Sequence, residues 1–266
     1  MIGLDAASSW SKFGYAVGRY DGCRVLLSEA GLIGEGAGAN SLDNVIAPRL
    51  REAETALVAV DAPLGWPAPM AEELRDHRAG QPFAVGKDAM FQRTTDRFVH
   101  RTIGKKPLEI GADKIARAAH SALATLQQLR NITGKPIPLA WDRAFSGVAA
   151  IEVYPGSTLK AHGLPDSGYK RPDQADVRRQ IADALVNAIA GIEERTDGNI
   201  DVFDACLCLM AAKDFLDGLA SPPTDLELAQ REGWIWVKNR VDPTGQRKSH
   251  RGTAPAKLSG SSPPTC

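Results

Sequence analysis

Met1-Ile2-Gly3-Leu4-Asp5 is an apolar run that ends on an acid, and related runs recur along the chain. Leu57-Val58-Ala59-Val60-Asp61 repeats the pattern, Val148-Ala149-Ala150-Ile151-Glu152-Val153 encloses a glutamate, and Asp201-Val202-Phe203-Asp204 opens an apolar helix. The first three runs predict buried strands, in which an ionised carboxylate is costly unless it is paired or binds a metal. Acids on three strands and one helix meet only if those elements lie side by side. The pattern therefore predicts a sheet-centred α/β domain with a carboxylate cluster for a divalent cation.

The composition fits one large domain, or one domain with an inserted subdomain. The chain has 266 residues, of which 43% are hydrophobic, and a formal net charge of zero. Six Lys or Arg residues and one acid lie from Lys238 onward, so the body before that point carries an excess of acids. An acidic body argues against a broad nucleic-acid-binding surface and is compatible with a metal site. No leader with an apolar centre and no 18-residue apolar stretch occurs, so we expect a cytoplasmic protein with no membrane partner.

The hydrophobic patterns divide the chain into a strand-rich start, a helical middle and a mixed end. Strands are predicted at 2–5, 12–19, 23–32, 57–61 and 148–153, with a last strand or extended segment at 233–238. Helices are predicted from Asn40 or Ser41 to about Thr55, at 173–195 and at 201–216. Residues 67 to about 145 predict a helical insertion that sits as a cap beside the sheet. Residues 1–238 thus form the domain, and 239–266 predict a disordered basic tail because core-forming residues are scarce there.

Five acids are the candidate catalytic residues: Asp5, Asp61, Glu152, Asp201 and Asp204. Each also has a structural explanation, because Asp5 and Asp61 could cap turns, Glu152 could face solvent, and Asp201 and Asp204 could stabilise a helix N-terminus. Their joint placement on neighbouring core elements favours the cluster. Asp5, Asp61 and Asp204 are the predicted metal ligands, and carboxylates favour hard ions such as Mg²⁺ or Mn²⁺.

Cationic residues in the insertion suggest a phosphate-binding surface. Arg93, Arg97 and Arg101 recur at helical spacing, and Lys160 follows the Glu152 strand. Guanidinium groups match the oxygens of phosphate, so the insertion could present a phosphate clamp over the metal site. The alternative is a solvated basic face in which Arg93 or Arg97 pairs with Asp96.

A glycine-rich segment offers a competing interpretation. Gly34-Glu35-Gly36-Ala37-Gly38-Ala39 follows a predicted strand, precedes a predicted helix and approaches a dinucleotide-binding fingerprint. Two strands already precede these glycines, whereas that fold begins with the glycine-bearing strand. The interpretation also leaves Asp5, Glu152 and the Asp201–Asp204 pair without a role, so we disfavour it.

The element order resembles the ribonuclease H-like fold, which places one Asp on the first strand, an acid on the fourth and another on a late helix. A closer resemblance is to the domain of unknown function numbered 429, itself predicted to be a nuclease of this fold. The motifs that carry it span roughly residues 1–238: Gly3-Leu4-Asp5, Asp61-Ala62-Pro63-Leu64-Gly65, Arg93-Thr94-Thr95-Asp96-Arg97, Glu152-Val153-Tyr154-Pro155, Asp204-Ala205 and Glu232-Gly233-Trp234-Ile235. The resemblance implies a mixed five-stranded sheet flanked by helices, with a helical insertion.

The functional hypothesis is metal-dependent hydrolysis of phosphodiesters in DNA or RNA by two Mg²⁺ or Mn²⁺ ions. Asp5 would bridge the metals, Asp61 and Asp204 would complete the site, and Asp201 or Glu152 would be an adjustable fourth ligand. The alternative is a non-enzymatic protein that binds a nucleotide or a partner on a degenerate ribonuclease H-like scaffold.

Overall fold

The computed structural model describes residues 1–7, 9, 12–34, 38–111, 113–195 and 198–239. Residues 240–266, which carry almost all of the predicted disordered tail, lie outside the described residues, as do three positions of the glycine-rich segment. In the described part of the chain, no helix is long and apolar enough to cross a membrane.

A mixed sheet of six strands forms the centre of the fold, one strand more than the sequence predicted. The strands are β1 (Ile2–Asp5), β2 (Gly14–Tyr20), β3 (Val25–Leu32), β4 (Ala56–Asp61), β5 (Val148–Glu152) and β6 (Ile189–Ala190), in the spatial order β5-β4-β1-β2-β3-β6. The first three form the predicted antiparallel meander, and β4 and β5 add in parallel on the other side of β1. Asp5 and Asp61 are direct register partners on adjacent strands.

The described helices flank this sheet. They are α1 (Leu42–Val45), α2 (Ala47–Glu52), α3 (Ala68–Leu74), α4 (Lys87–Phe91), α5 (Thr94–Ile103), α6 (Asp113–Thr133), α7 (Pro155–Ala161), α8 (Ala175–Leu185), α9 (Ile200–Leu216) and α10 (Leu226–Glu232), with a 3-10 helix at Ile192–Arg195. The predicted helix from Asn40 or Ser41 to Thr55 is two helices, because Pro48 lies in the first turn of α2. A proline starts a helix well and interrupts one from within.

The predicted helix at 173–195 is wrong in its last third. It ends with α8, and the chain then adds the short strand β6 to the free edge of β3, where Ile189 pairs with Val25. Gly191, which follows at φ +94°, turns the chain away. The helical spacing of Ile189 and Ile192 matched a helix face, but tertiary pairing of a β-branched residue with an open sheet edge decided the outcome.

Part of the insertion belongs to the core and is not a cap beside the sheet. The helix α6 packs with α1 and α2 on one face of the sheet, and its Leu126 and Leu129 are fully buried there against β1 and β4. Of the shorter helices, α3 packs against α4 and α10, and α5 packs against α7 and α10. The insertion therefore supplies one of the two helical layers that a sheet needs to bury both faces.

The opposite face of the sheet is covered by α9, which packs across β1, β2, β3 and β4. Two glycines allow this close approach. A Cβ atom on Gly3 would lie 2.1 Å from the carbonyl oxygen of Ala205, and one on Gly14 would lie 2.0 Å from that of Asp201. The N-terminal end of α9 is thereby pressed onto the sheet at the ends of β1 and β4, and this contact positions the candidate site.

Candidate metal centre

Asp5 and Asp61 lie at the carboxyl ends of two adjacent parallel strands. Successive side chains along a strand point to opposite faces of the sheet. Asp61 therefore shares a face with Leu57 and Ala59, which pack in the same core cluster as residues of α9. Asp5 shares that face with Gly3, where an added Cβ atom would meet the backbone of α9. Register and alternation together therefore aim both carboxylates at the N-terminal turns of α9.

Asp204 on α9 completes a cluster with these two acids. One carboxylate oxygen from each of Asp5, Asp61 and Asp204 can be chosen so that the three lie within 4.8 Å of one another. Asp204 is 1% exposed, and the other two are partly buried. Three convergent carboxylate oxygens are the ligand set that Mg²⁺ and Mn²⁺ prefer, so the residues present fit a divalent cation.

The cluster concentrates negative charge in a poorly hydrated place. Burial raises the pKa of Asp61 to about 7. The positive charge of Lys170 acts to lower this pKa, and the negative charges of Asp204 and Glu152 act to raise it. Burial, followed by the charges of Asp61 and Asp204, also raises the pKa of Asp5 well above its usual range. Carboxyl groups whose ionisation is this costly are stabilised when a cation arrives.

Two residues outside the predicted carboxylate cluster hold Asp204 in place. The hydroxyl of Tyr169 donates to Asp204 Oδ1 over 2.8 Å, and the ammonium of Lys170 forms an ion pair with Asp204 Oδ2. The Lys170 charge also opposes the raised pKa of Asp5 and Asp61. Both residues lie in the loop between α7 and α8, where no periodicity marks them.

Asp201 lies one turn before Asp204, beside the cluster rather than in it. Its backbone N–H is held by the side chain of Asn199, which caps α9 with an acceptor 2.7 Å away. Burial, then the charge of Asp204, raises the pKa of Asp201. Asp201 thus adds negative potential to the site, since its charge contributes to the raised pKa of Asp5.

Glu152 is directed away from the cluster by the alternation of β5. It is the register partner of Val60, whose side chain packs on the face opposite α9, and not of Asp61. Its two oxygens accept from Arg93 over 2.7 and 2.9 Å, and one also accepts from the backbone N–H of Leu64. The predicted role of Glu152 as an adjustable metal ligand is therefore not supported, because an internal cation already occupies the carboxylate.

Arg93 is not a phosphate clamp, since its guanidinium is fully used inside the protein. It is 1% exposed, and its five N–H donors go to Asp96, Glu152 and the carbonyl of Glu232. Its pairing with Asp96 agrees with the alternative interpretation of the sequence, but Arg93 is buried and does not lie on a solvated face. Arg93 is the N-cap residue of α5, so it does not continue the stripe through Arg97 and Arg101.

The other predicted phosphate-binding residues lie apart from the acids. Arg97 is exposed and donates to the carbonyl of Gln92, and Arg101 is exposed in the last turn of α5. Lys160 donates over 2.9 Å to the carbonyl of Gly104, at the end of α5. The structure does not bring these three cations to the cluster.

A pocket of about 930 Å³ opens over Asp5 and Asp61. Its walls come from the segment between α5 and α6, from α6, and from the loop between α7 and α8. They combine apolar with cationic side chains: Pro63, Lys105, Lys106, Pro107, Leu108, Ile115, Tyr154, Lys170, Arg171 and Pro172. Leu108 is 67% exposed at this pocket. An acidic floor beneath apolar and cationic walls suits a ligand with a planar organic part and a phosphate.

A family model described as "Protein of unknown function (DUF429)" matches residues 14–228 of the chain. The chain belongs to the DUF429 family. No curated protein and no solved structure matched it. The family model covers residues 14–228, whereas the motifs that resemble this family span residues 1–238. Asp5 and the Glu232 motif therefore lie outside the matched residues.

The motifs of this DUF429 chain meet at one end of the sheet. The Gly3, Asp61 and Asp204 motifs supply the carboxylate cluster. The Arg93, Glu152 and Glu232 motifs form a buried network in which Glu232 also accepts from the backbone N–H groups of Ala68 and Thr94. Segments far apart in sequence thus build the carboxylate cluster and the buried network beside it.

Proposed function

We propose that the protein is a metal-dependent nuclease with a ribonuclease H-like fold. The observation that carries the proposal is the convergence of Asp5, Asp61 and Asp204 from the first strand, the fourth strand and a late helix. The meander of β1 to β3, with β4 and β5 added in parallel beyond β1, supports the ribonuclease H-like assignment. The proposed substrate is DNA or RNA, and the proposed cofactor is Mg²⁺ or Mn²⁺.

Asp5, Asp61 and Asp204 would hold the metal through oxygen atoms. When bound, such ions generate a nucleophilic hydroxide and stabilise the leaving oxygen of a phosphodiester. Tyr169 fixes the orientation of Asp204 through its hydrogen bond, since the ring is buried and its hydroxyl contacts one carboxylate oxygen. The elevated pKa of Asp61 makes metal binding release protons near neutral pH.

The pocket supports nucleic acid as the substrate and favours an unpaired strand. Its walls place apolar side chains such as Leu108 and Ile115 beside Lys106 and Arg171. A base can pack on the apolar part while the phosphate beside it meets the cations, as in proteins that bind single strands. A continuous duplex would keep its bases stacked inside the helix, out of reach of the Leu108 wall.

A direct assay tests the nuclease proposal. Purified protein is incubated with Mn²⁺ and labelled single-stranded, duplex, hybrid and branched nucleic acids, alongside Asp5→Asn and the exposed control Asp43→Asn. We expect cleavage by the wild type and by Asp43→Asn, and none by Asp5→Asn. Absence of cleavage on every substrate, or equal cleavage by Asp5→Asn, would defeat the proposal.

The ion pair of Lys170 with Asp204 favours a second candidate function. A lysine that stays bound to Asp204 and keeps metal ions out would leave a nucleotide-binding protein on a degenerate ribonuclease H-like scaffold. That protein would bind a nucleoside monophosphate in the pocket without Mn²⁺ and would cleave nothing. Calorimetry with nucleotide, in the presence and absence of Mn²⁺, separates the two candidates.

A further inference from the structure

One loop controls both oxygens of the Asp204 carboxylate. Gly163 to Gln174 connects α7 with α8, and its adjacent residues Tyr169 and Lys170 each contact one of the two oxygens. A metal ion that binds Asp204 through Oδ2 must therefore compete with the Lys170 ammonium.

The two contacts differ in how firmly the protein holds them. Tyr169 is 1% exposed, and its backbone carbonyl accepts a hydrogen bond from buried Arg178 over 2.8 Å. The side chain of Lys170 is 55% exposed. Lysine has a flexible four-carbon stem, so its ammonium can leave for solvent while the backbone stays in place. Tyr169 is the fixed contact and Lys170 the removable one.

The charge balance gives the exchange a driving force. Asp5, Asp61 and Asp204 bring three carboxylates together, and Lys170 opposes the raised pKa of each of them. One ammonium neutralises at most one carboxylate, whereas a divalent ion carries twice its charge and can contact all three. Metal binding thus exchanges one ammonium, which offsets part of the negative charge of the carboxylates, for a divalent ion that offsets more of it.

We propose that Lys170 is an internal counter-ion of the metal centre, which a divalent cation displaces from Asp204, so that this lysine sets the metal affinity of the site. The inference rests on the metal site of the proposed function and adds its regulation. The displaced ammonium remains on the wall of the pocket beside Arg171, where it can pair with a substrate phosphate. Lys170 would therefore leave Asp204 when the metal ion binds and become available to bind a substrate phosphate.

Calorimetric titration with Mn²⁺ alone tests the exchange. Lys170→Met removes the competing charge at similar length, and we expect it to bind Mn²⁺ about tenfold or more tightly than the wild type, since a unit charge at contact distance is worth at least that much. Lys170→Arg keeps the charge and should stay within about threefold. Lys106→Met is the matched control, because Lys106 lines the same pocket and is paired with Glu109 instead of the cluster.

Thermal unfolding supplies a second readout. Without metal, Lys170→Met should melt below the wild type because the cluster loses its cation, and Mn²⁺ should remove the difference. A purely structural lysine would lower the melting temperature without tightening Mn²⁺ binding. If Lys170→Met does not fold, Lys170→Gln, which retains a donor for Asp204, takes its place in both measurements.

The outcomes separate this inference from the nuclease proposal. Equal or weaker Mn²⁺ binding by the uncharged variants overturns the exchange and leaves the nuclease proposal standing. Tight binding by Lys170→Met with no binding by the wild type supports the counter-ion and defeats the metal-dependent nuclease. No Mn²⁺ binding by any variant overturns both.

Discussion

Replacement of Arg93 by methionine should destabilise the protein more than any neighbouring cation replacement. The guanidinium makes five donor contacts in a place that is 1% exposed, and it is the common partner of Asp96 and Glu152. Removing one partner from a buried ionic group leaves charge uncompensated, which costs about 3–5 kcal/mol. In a domain of this size each kcal/mol lowers the melting temperature by about 2–4 °C, so we expect a decrease of about 10 °C.

Urea unfolding monitored by circular dichroism measures this loss. Arg97→Met is the matched control, because Arg97 is exposed in the same helix, and it should change the free energy of unfolding by less than about 0.5 kcal/mol. The defect of Arg93→Met should shrink at acidic pH, because burial raises the pKa of Glu152 and its protonated carboxyl no longer needs a cation. A loss below about 1 kcal/mol at pH 7 would refute the network as a source of stability.

Three further predictions follow from the sheet, the cluster and the pocket. Gly3→Ala places a methyl group 2.1 Å from a backbone carbonyl oxygen of α9, so it should cost at least about 1–3 kcal/mol in urea unfolding, while Gly38→Ala, with nothing within 4 Å, should not. The pKa of Asp61 rises from an unfolded value near 3.8 to about 7, so the free energy of unfolding of the metal-free protein should fall as the pH rises from 4 to 8. Asp61→Asn should flatten that decline, and an unchanged slope would contradict the raised pKa of Asp61. Leu108→Glu should raise the KM for a single-stranded substrate several-fold in the cleavage assay, whereas Leu219→Glu, also exposed but outside the pocket, should leave it unchanged.

Most of the sheet could be predicted from the sequence because its strands carry strong local patterns. The apolar runs that end on Asp5 and Asp61 are buried adjacent strands, and their order sets the meander and the parallel addition. The strand β6 could not be predicted, since Ile189 and Ile192 match a helical period and only the free edge of β3 selects an extended conformation. The core position of α6 also depends on a tertiary contact that no local pattern carries.

The part of the candidate site that could be predicted is the carboxylate cluster. Asp5, Asp61 and Asp204 could be placed from their positions on core elements. The ion pair of Lys170 with Asp204 could not be predicted, because the loop that carries Lys170 has no period and the two residues are far apart in sequence.

The burial of Arg93 could not be predicted either, because the helical spacing of Arg93, Arg97 and Arg101 does not distinguish a buried N-cap residue from a residue on an exposed helix face. The direction of the Glu152 side chain was hidden as well, because it depends on the parallel register that pairs Glu152 with Val60.

Manganese anomalous diffraction from Mn²⁺-soaked crystals tests the central claim most directly. The account predicts an anomalous peak at about 2.1 Å from carboxylate oxygens of Asp5, Asp61 and Asp204, with the Lys170 ammonium withdrawn from Asp204. Crystals of Asp5→Asn should lose the peak under the same soak. Wild-type crystals with no peak at the cluster, and with Lys170 still bound to Asp204, would contradict the metal centre.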